Sequence, residues 1–223
     1  MSTNSSDALE LNPAVPITAS VIWLHGLGAD GHDFESIVPE LGVAEKLGVR
    51  FVFPHAPHMP VTINGGMVMR AWYDIVDADI AHREDSVGIR NSAETVHALV
   101  KREIESGRDP RRIVLAGFSQ GGAIVLHAGL RYPERLGGIL ALSTYVPLAN
   151  ALEDEAHPSN ADIPIFMAHG TEDPIVPLTR AQQSRAMLED KGYSVEWHNY
   201  PMQHSVCMPE IQHVAVWLKA VLA

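Results

Sequence analysis

Ser119 stands between two glycines in Gly117-Phe118-Ser119-Gln120-Gly121, after the apolar run Arg112-Ile113-Val114-Leu115-Ala116 and before the helix-like run Ala123-Ile124-Val125-Leu126-His127-Ala128. A short β-branched run leading into a helical one predicts a strand, a sharp turn and a helix, with the serine at the turn. Such a turn strains the serine backbone and brings neighbouring main chain so close that only glycine fits two residues to either side. The free amides of the new helix then point at whatever the serine attacks. This is a pattern for acyl transfer, but a serine between glycines also arises by chance, so its partners decide the chemistry.

A serine hydroxyl needs a general base, usually a histidine held in one tautomer by a carboxylate. In strand-turn-helix elbows of this kind the acid and then the base follow the serine along the chain, each in a loop beyond a strand. Ile163-Pro164-Ile165-Phe166-Met167-Ala168-His169-Gly170 reads as such a strand, and Thr171-Glu172-Asp173-Pro174-Ile175-Val176-Pro177 as its loop. Asp173 is the candidate acid and Glu172 its near competitor; Pro174 biases residue 173 to an extended backbone that can turn its side chain out of the loop. Asp154 and Asp162 precede the strand and Asp190 lies in a helical stretch, which suits solvated surface charge. His198, His204 and His213 come late enough to be the base. His198 falls inside the alternating run 194–200 and His213 inside a terminal helical pattern, which leaves His204, in Pro201-Met202-Gln203-His204-Ser205.

The tetrahedral intermediate also requires preset amide donors for its oxyanion. One is expected from the residue after the nucleophile, Gln120, through its backbone; truncation of the Gln120 side chain is therefore expected to leave much of the activity. The other is expected from a glycine-rich loop after an earlier strand. His25-Gly26-Leu27-Gly28-Ala29-Asp30-Gly31 follows Ser20-Val21-Ile22-Trp23-Leu24, and Leu27 is assigned as that donor. The same loop formally reads G-x-G-x-x-G, which raises a dinucleotide-binding oxidoreductase as an alternative. That fingerprint wants an acidic residue at the end of the next strand. Here Val49-Arg50-Phe51-Val52-Phe53 runs instead into Pro54-His55-Ala56-Pro57.

These residues depend on strands at about 20–24, 49–53, 112–116, 163–170 and 194–200, and on helices to cover them. Ile211, Val214, Ala215, Leu218 and Leu222 form one helical stripe, and Val96, Leu99, Val100 and Ile104 another; both read as contacts with a sheet.

The chain as a whole resembles the acyl-protein thioesterase and small bacterial carboxylesterase (phospholipase-carboxylesterase) family of α/β-hydrolases. The resemblance runs through residues 21–31, Phe53-Pro54-His55-Ala56-Pro57, Pro60-Val61-Thr62-Ile63-Asn64-Gly65-Gly66, Arg70-Ala71-Trp72-Tyr73-Asp74-Ile75, the elbow, residues 169–177 and Tyr200-Pro201-Met202-Gln203-His204-Ser205, in order over roughly residues 17 to 222. It implies an α/β class chain with one α/β-hydrolase domain, a mostly parallel twisted sheet with helices on both faces, spanning 17–223 after a polar N-terminal segment, 1–16. It implies a catalytic Ser119, Asp173 and His204, oxyanion amides at Leu27 and Gln120, and hydrolysis of carboxylic esters or fatty-acyl thioesters. It also places the 61–69 loop beside the acyl group, with Ile63, Met67, Val68, Met69 and Trp72 as substrate contacts. The paired Gly65 and Gly66 suit a mobile loop over the site, and packing of these residues into the core is the competing reading. The substrates implied are acyl esters or thioesters, including lipidated proteins and lysophospholipids, and a homodimer is compatible with the sequence. A catalytically silent hydrolase-fold binding module is the other alternative; such modules usually betray themselves by a broken triad.

Composition bounds what remains. A chain of 223 residues fits one α/β domain. A net charge of −11 opposes binding to phosphate backbones and disfavours a permanent hold on anionic membranes. The single cysteine, Cys207, cannot form an internal disulfide and fits a reducing interior; it is expected to be a small packing residue rather than a thiol nucleophile. No stretch approaches the roughly 20 apolar residues needed to span a bilayer, and the first residues show no signal-peptide pattern. A cytoplasmic protein is expected. Despite twelve histidines, no metal or cofactor is expected, since there is no H-E-x-x-H pair and His55 and His58 flank a proline in a loop.

Overall fold

The computed structural model describes residues 8–77 and 83–223. The strands are β1 Ala8–Leu11, β2 Ala19–Leu24, β3 Val49–Pro54, β4 His58–Val61, β5 Met67–Arg70, β6 Ile113–Phe118, β7 Gly138–Leu142, β8 Ile165–Gly170 and β9 Val195–Tyr200. The helices are α1 Val38–Leu41, α2 Ala44–Leu47, α3 Ser86–Glu105, α4 Gln120–Arg131, α5 Leu152–Glu155, α6 Leu178–Asp190 and α7 Met208–Val221. Seven strands form one sheet in the order β1-β3-β2-β6-β7-β8-β9. All neighbours run parallel except β1, which pairs antiparallel with β3 at the edge.

Parallel strands covered by helices on both faces are apolar at every position, and β2, β7 and β8 are buried throughout. Alternate residues supply two cores. Ile22, Leu24, Ile113 and Leu115 face the layer of α3 and α4, where they meet Val96, Val100, Ile124 and Leu126. Val21, Trp23, Val114 and Ala116 face the other layer, with Phe51, Phe53, Phe166, Trp217 and Leu218. Both expected helical stripes lie on these cores, Ile211, Leu99 and Ile104 at their margins.

Three expectations need correction. The chain enters the sheet before residue 17, because Ala8–Leu11 of the presumed polar segment forms β1 and pairs with Phe51 to Pro54. The strand expected from residue 163 starts at Ile165. The 61–69 stretch, expected as a loop, is built as a hairpin in which β4 and β5 pair antiparallel, with Val61 opposite Met67 and His58 opposite Arg70. Gly65 and Gly66 both take positive φ at its turn, which glycine tolerates without strain. Among the described residues no helix is long and apolar enough to cross a membrane.

Candidate active site

The loops leaving β2, β6, β8 and β9 emerge at the carboxyl edge of the sheet, where open α/β sheets place their sites. Ser119 sits between β6 and α4 with φ 54° and ψ −120°, a strained conformation for a residue with a side chain. Surrounding bonds hold it there: its amide donates to Leu142 O at 2.9 Å, and its carbonyl accepts from Ala123 N at 3.1 Å and Thr144 Oγ1 at 2.7 Å. The flanking glycines are required by close approach. A Cβ on Gly117 would lie 2.4 Å from the Gly121 backbone, and one on Gly121 would lie 2.5 Å from Leu24 O.

Asp173, 8 % exposed, lies in the turn after β8. Its Oδ1 accepts the amides of Ile175 at 2.8 Å and Val176 at 2.9 Å, and its Oδ2 takes His204 Nδ1 at 2.6 Å. His204 comes from the loop between β9 and α7, which is tied to the Asp173 loop by Glu172 N donating to Met202 O at 3.1 Å. With its Nδ1 proton committed to the carboxylate, the neutral ring presents an unprotonated Nε2 to the Ser119 hydroxyl, 2.8 Å away. The three side chains therefore form a continuous chain from a buried carboxylate to a hydroxyl, the arrangement that removes a proton from an attacking serine.

His169, fully buried at the end of β8, is a further member of the cluster whose position in a strand gives no sequence signal. Its Nε2 donates to Val176 O at 2.8 Å and lies 3.4 Å from Asp173 Oδ2, closing the acid's loop. Burial lowers its pKa, so the ring stays neutral beside the carboxylate. The competing residues lie elsewhere. Glu172 is exposed. His198 bonds Glu196 at 2.9 Å and stacks on Phe166, and His213 bonds the Tyr200 hydroxyl at 2.7 Å. Cys207 caps the start of α7, half-buried.

Gln120 is the first residue of α4, so its amide has no carbonyl one turn earlier inside the helix to bond. The Leu27 loop comes up beside it: a Cβ on Gly26 would stand 3.5 Å from Ser119 Cβ. This loop opens no long helix, being followed by a 3-10 turn at Glu35–Ile37 and the four-residue α1. A pyrophosphate placed there would lack the helix N-terminus that a dinucleotide site needs. Among the described residues no group of three His, Cys, Asp or Glu side chains is placed to hold a metal ion.

The expected substrate contacts divide into two sets. Ile63, Met67 and Val68 are exposed at the hairpin, Met67 and Val68 by 64 % each, so they do not pack into the core; Met69 turns inward toward Gly28. Ile175, 61 % exposed and two residues from Asp173, is a further apolar side chain at this edge that the sequence reading left out. Trp72, in contrast, is 2 % exposed and donates its indole N–H to His25 O at 2.9 Å, so it faces the Leu27 loop rather than solvent.

Residues 9–222 match the model of the phospholipase/carboxylesterase family. The chain belongs to that family. It is 44 % identical over 211 residues to acyl-protein thioesterase 1 of Gibberella zeae, covering 91 % of this chain and 90 % of that one. To acyl-protein thioesterase 1 of Yarrowia lipolytica it is 39 % identical over 207 residues, covering 91 % of each. Among solved structures it is similar to Arabidopsis thaliana SOBER1, with a TM-score of 0.87 at 32 % identity over 92 % of this chain and 100 % of that one. It is also similar to Zea mays acyl-protein thioesterase 2, with a TM-score of 0.83 at 28 % identity over 97 % of this chain and 99 % of that one. The chain is an α/β-hydrolase and a hydrolytic enzyme of the esterase and thioesterase class.

Proposed function

We propose that this enzyme hydrolyses fatty-acyl thioesters and carboxylic esters through an acyl-enzyme on Ser119, and that acylated proteins are its principal substrate class, lysophospholipids a second. The observation that carries the reading is the unbroken relay from Asp173 Oδ2 to His204 at 2.6 Å and from His204 to Ser119 Oγ at 2.8 Å. His204 Nε2 takes the serine proton as Oγ attacks the acyl carbon, and Asp173 stabilises the imidazolium that forms. The Leu27 and Gln120 amides hold the oxyanion. His204 then returns the proton to the leaving thiolate or alkoxide, and the carbon–sulfur or carbon–oxygen bond breaks. A water, deprotonated by the same ring, attacks the acyl-enzyme and releases the carboxylic acid and free Ser119.

The apolar side chains of Ile63, Met67 and Val68 are exposed on a hairpin that Gly28 N, donating to Arg70 O, ties to the Leu27 loop, which supports their reading as an adaptable surface for an acyl chain. The similarity to acyl-protein thioesterases favours a cysteine-linked acyl group as donor, and the single cysteine, Cys207, accords with a cytoplasmic setting. The test uses matched octanoyl donors with oxygen and sulfur leaving groups in water containing methanol. A shared acyl-enzyme forgets its leaving group, so both donors should give the same ratio of octanoate to methyl octanoate. Ratios that differ between donors contradict the mechanism.

A further inference from the structure

The Gln120 side chain is 3 % exposed and does something an elbow does not require. Its Oε1 accepts the Trp72 amide at 2.8 Å and its Nε2 donates to Tyr73 O at 2.7 Å, so it grips a stretch of backbone 47 and 48 residues away. Ser92 Oγ donates to Trp72 O from the other side. The Trp72 indole N–H then donates to His25 O at 2.9 Å, and the two rings lie 5.3 Å apart.

His25 carries the linkage one peptide further. Its Nε2 accepts the Ala56 amide at 3.0 Å, so the proton sits on Nδ1 and donates to Gly26 O at 2.7 Å. Burial lowers the pKa of His25 to about 4, against the pull of that same bond to Gly26, which keeps this tautomer neutral near pH 7. The Gly26 carbonyl and the Leu27 amide belong to one planar trans peptide, in which C=O and N–H point in opposite directions. Fixing the carbonyl therefore aims the Leu27 N–H. A second hold lies just beyond, where Gly28 N donates to Arg70 O at 2.8 Å and Arg70 Nη1 donates to Ala56 O at 2.8 Å.

We infer that the Gln120 side chain and the Trp72 indole are positioning residues that lock the two oxyanion donors, the Gln120 and Leu27 amides, into one frame. Gln120 joins the elbow to residues 72 and 73, and Trp72 joins those residues to the loop that presents Leu27. Neither side chain touches the substrate. The inference rests on the acyl-enzyme reading above and replaces two sequence expectations: that the Gln120 side chain is dispensable, and that Trp72 contacts the acyl chain.

Trp72→Phe is the primary variant because it keeps an aromatic ring in the core while removing the indole N–H, with the loss of two ring carbons besides. Removing a whole oxyanion donor costs about 10²–10³ in kcat, and a misaimed one should cost part of that. Trp72→Phe should lower kcat by about 10-fold with KM unchanged, equally for acetyl and octanoyl esters, and should weaken an alkyl boronic acid inhibitor by the same factor. Gln120→Ala should lower kcat by about 10–10² and lose little more when combined with Trp72→Phe, since both break one linkage. Wild-type kcat and boronate affinity in Trp72→Phe overturn the inference, as does a loss confined to octanoyl substrates or to KM, which would make Trp72 an acyl contact. Multiplying effects in the double variant also overturn it. If Gln120→Ala fails to fold, Trp72→Phe alone decides. Ser119→Ala separates the two levels: activity surviving that change sinks the acyl-enzyme reading itself, whereas an essential Ser119 with a wild-type Trp72→Phe sinks only the frame.

Discussion

The elbow with its relay and the β4–β5 hairpin differ in how far their side chains are enclosed, although Gly28 N donating to Arg70 O ties the hairpin to the Leu27 loop. Around Ser119, a strained backbone is fixed by three hydrogen bonds and by glycines with no room for a Cβ, and the Asp173 carboxylate accepts two amides and His204. The strands of the hairpin pair antiparallel with each other and its backbone is tied to Asp74 and Ile75 through Thr62 and Ile63, but its Ile63, Met67 and Val68 side chains are exposed. The bond-breaking step tolerates little displacement, so its atoms are held by many partners. Acyl-chain recognition tolerates more, because apolar contact is not directional. On the proposed function, the difference would separate how the enzyme reacts from what it accepts.

Changes in the first region should lose rate on every substrate. Ser119→Ala should lower kcat by about 10⁶, measured on acetyl and octanoyl esters alike. Asp173→Asn should cost about 10⁴, because the base then loses its tautomer and orientation. A loss that varied with chain length in either variant would break the division. Changes in the hairpin should do the reverse. Each methylene buried against it is worth up to about 0.8 kcal/mol, and exposure of these side chains makes that a ceiling. Met67→Asp or Val68→Asp should lower kcat/KM for octanoyl esters by about 10-fold or more and leave acetyl esters within about 2-fold. Equal losses on both would remove the hairpin from acyl recognition.

The smallest expected effect is on stability and lies in α7, the helix that follows the His204 loop. Glu210 is fully buried in the first turn of α7, with neither carboxylate oxygen in a full hydrogen bond. Burial raises its pKa to about 8, against a weak pull from the Cys207 amide. A folded-state pKa raised above the unfolded value of about 4.5 means the folded form holds the proton more tightly. This contribution is complete below about pH 4.5 and is lost as pH rises to about 8, after which it levels off. Glu210→Gln should remove that slope, so that urea midpoints of variant and native protein diverge in favour of the variant as pH rises from 5 to 8. Parallel curves would show that Glu210 ionises without cost.

The elements that place the relay were legible because each has a local signature. A β-branched run before Gly117, a strand before Asp173 and an alternating run before His204 each end where a reacting side chain begins. His198 and His213 could be set aside by the element each falls in, and Glu172 yielded to Asp173 on the backbone bias that Pro174 imposes. What stayed hidden depends on contacts between distant segments. β1 is four residues long and is defined by pairing with β3. Paired glycines mark a loop in the sequence, whereas the register of Val61 with Met67 makes that stretch a hairpin. Gln120 drew attention for its backbone because nothing near it in sequence needs an amide side chain; its partners are Trp72 and Tyr73. His169 has no sequence signal beyond its place in a strand, and only the return of the chain at Val176 gives its ring a partner.

The central claim is that the acyl group passes through Ser119. Rapid quench of the enzyme with 4-nitrophenyl octanoate, followed by intact mass and peptide mapping, tests it most directly. The account predicts a transient gain of one octanoyl group, located on the Ser119 peptide and missing in Ser119→Ala. An octanoyl group on Cys207, or turnover at the native rate by Ser119→Ala, would contradict it.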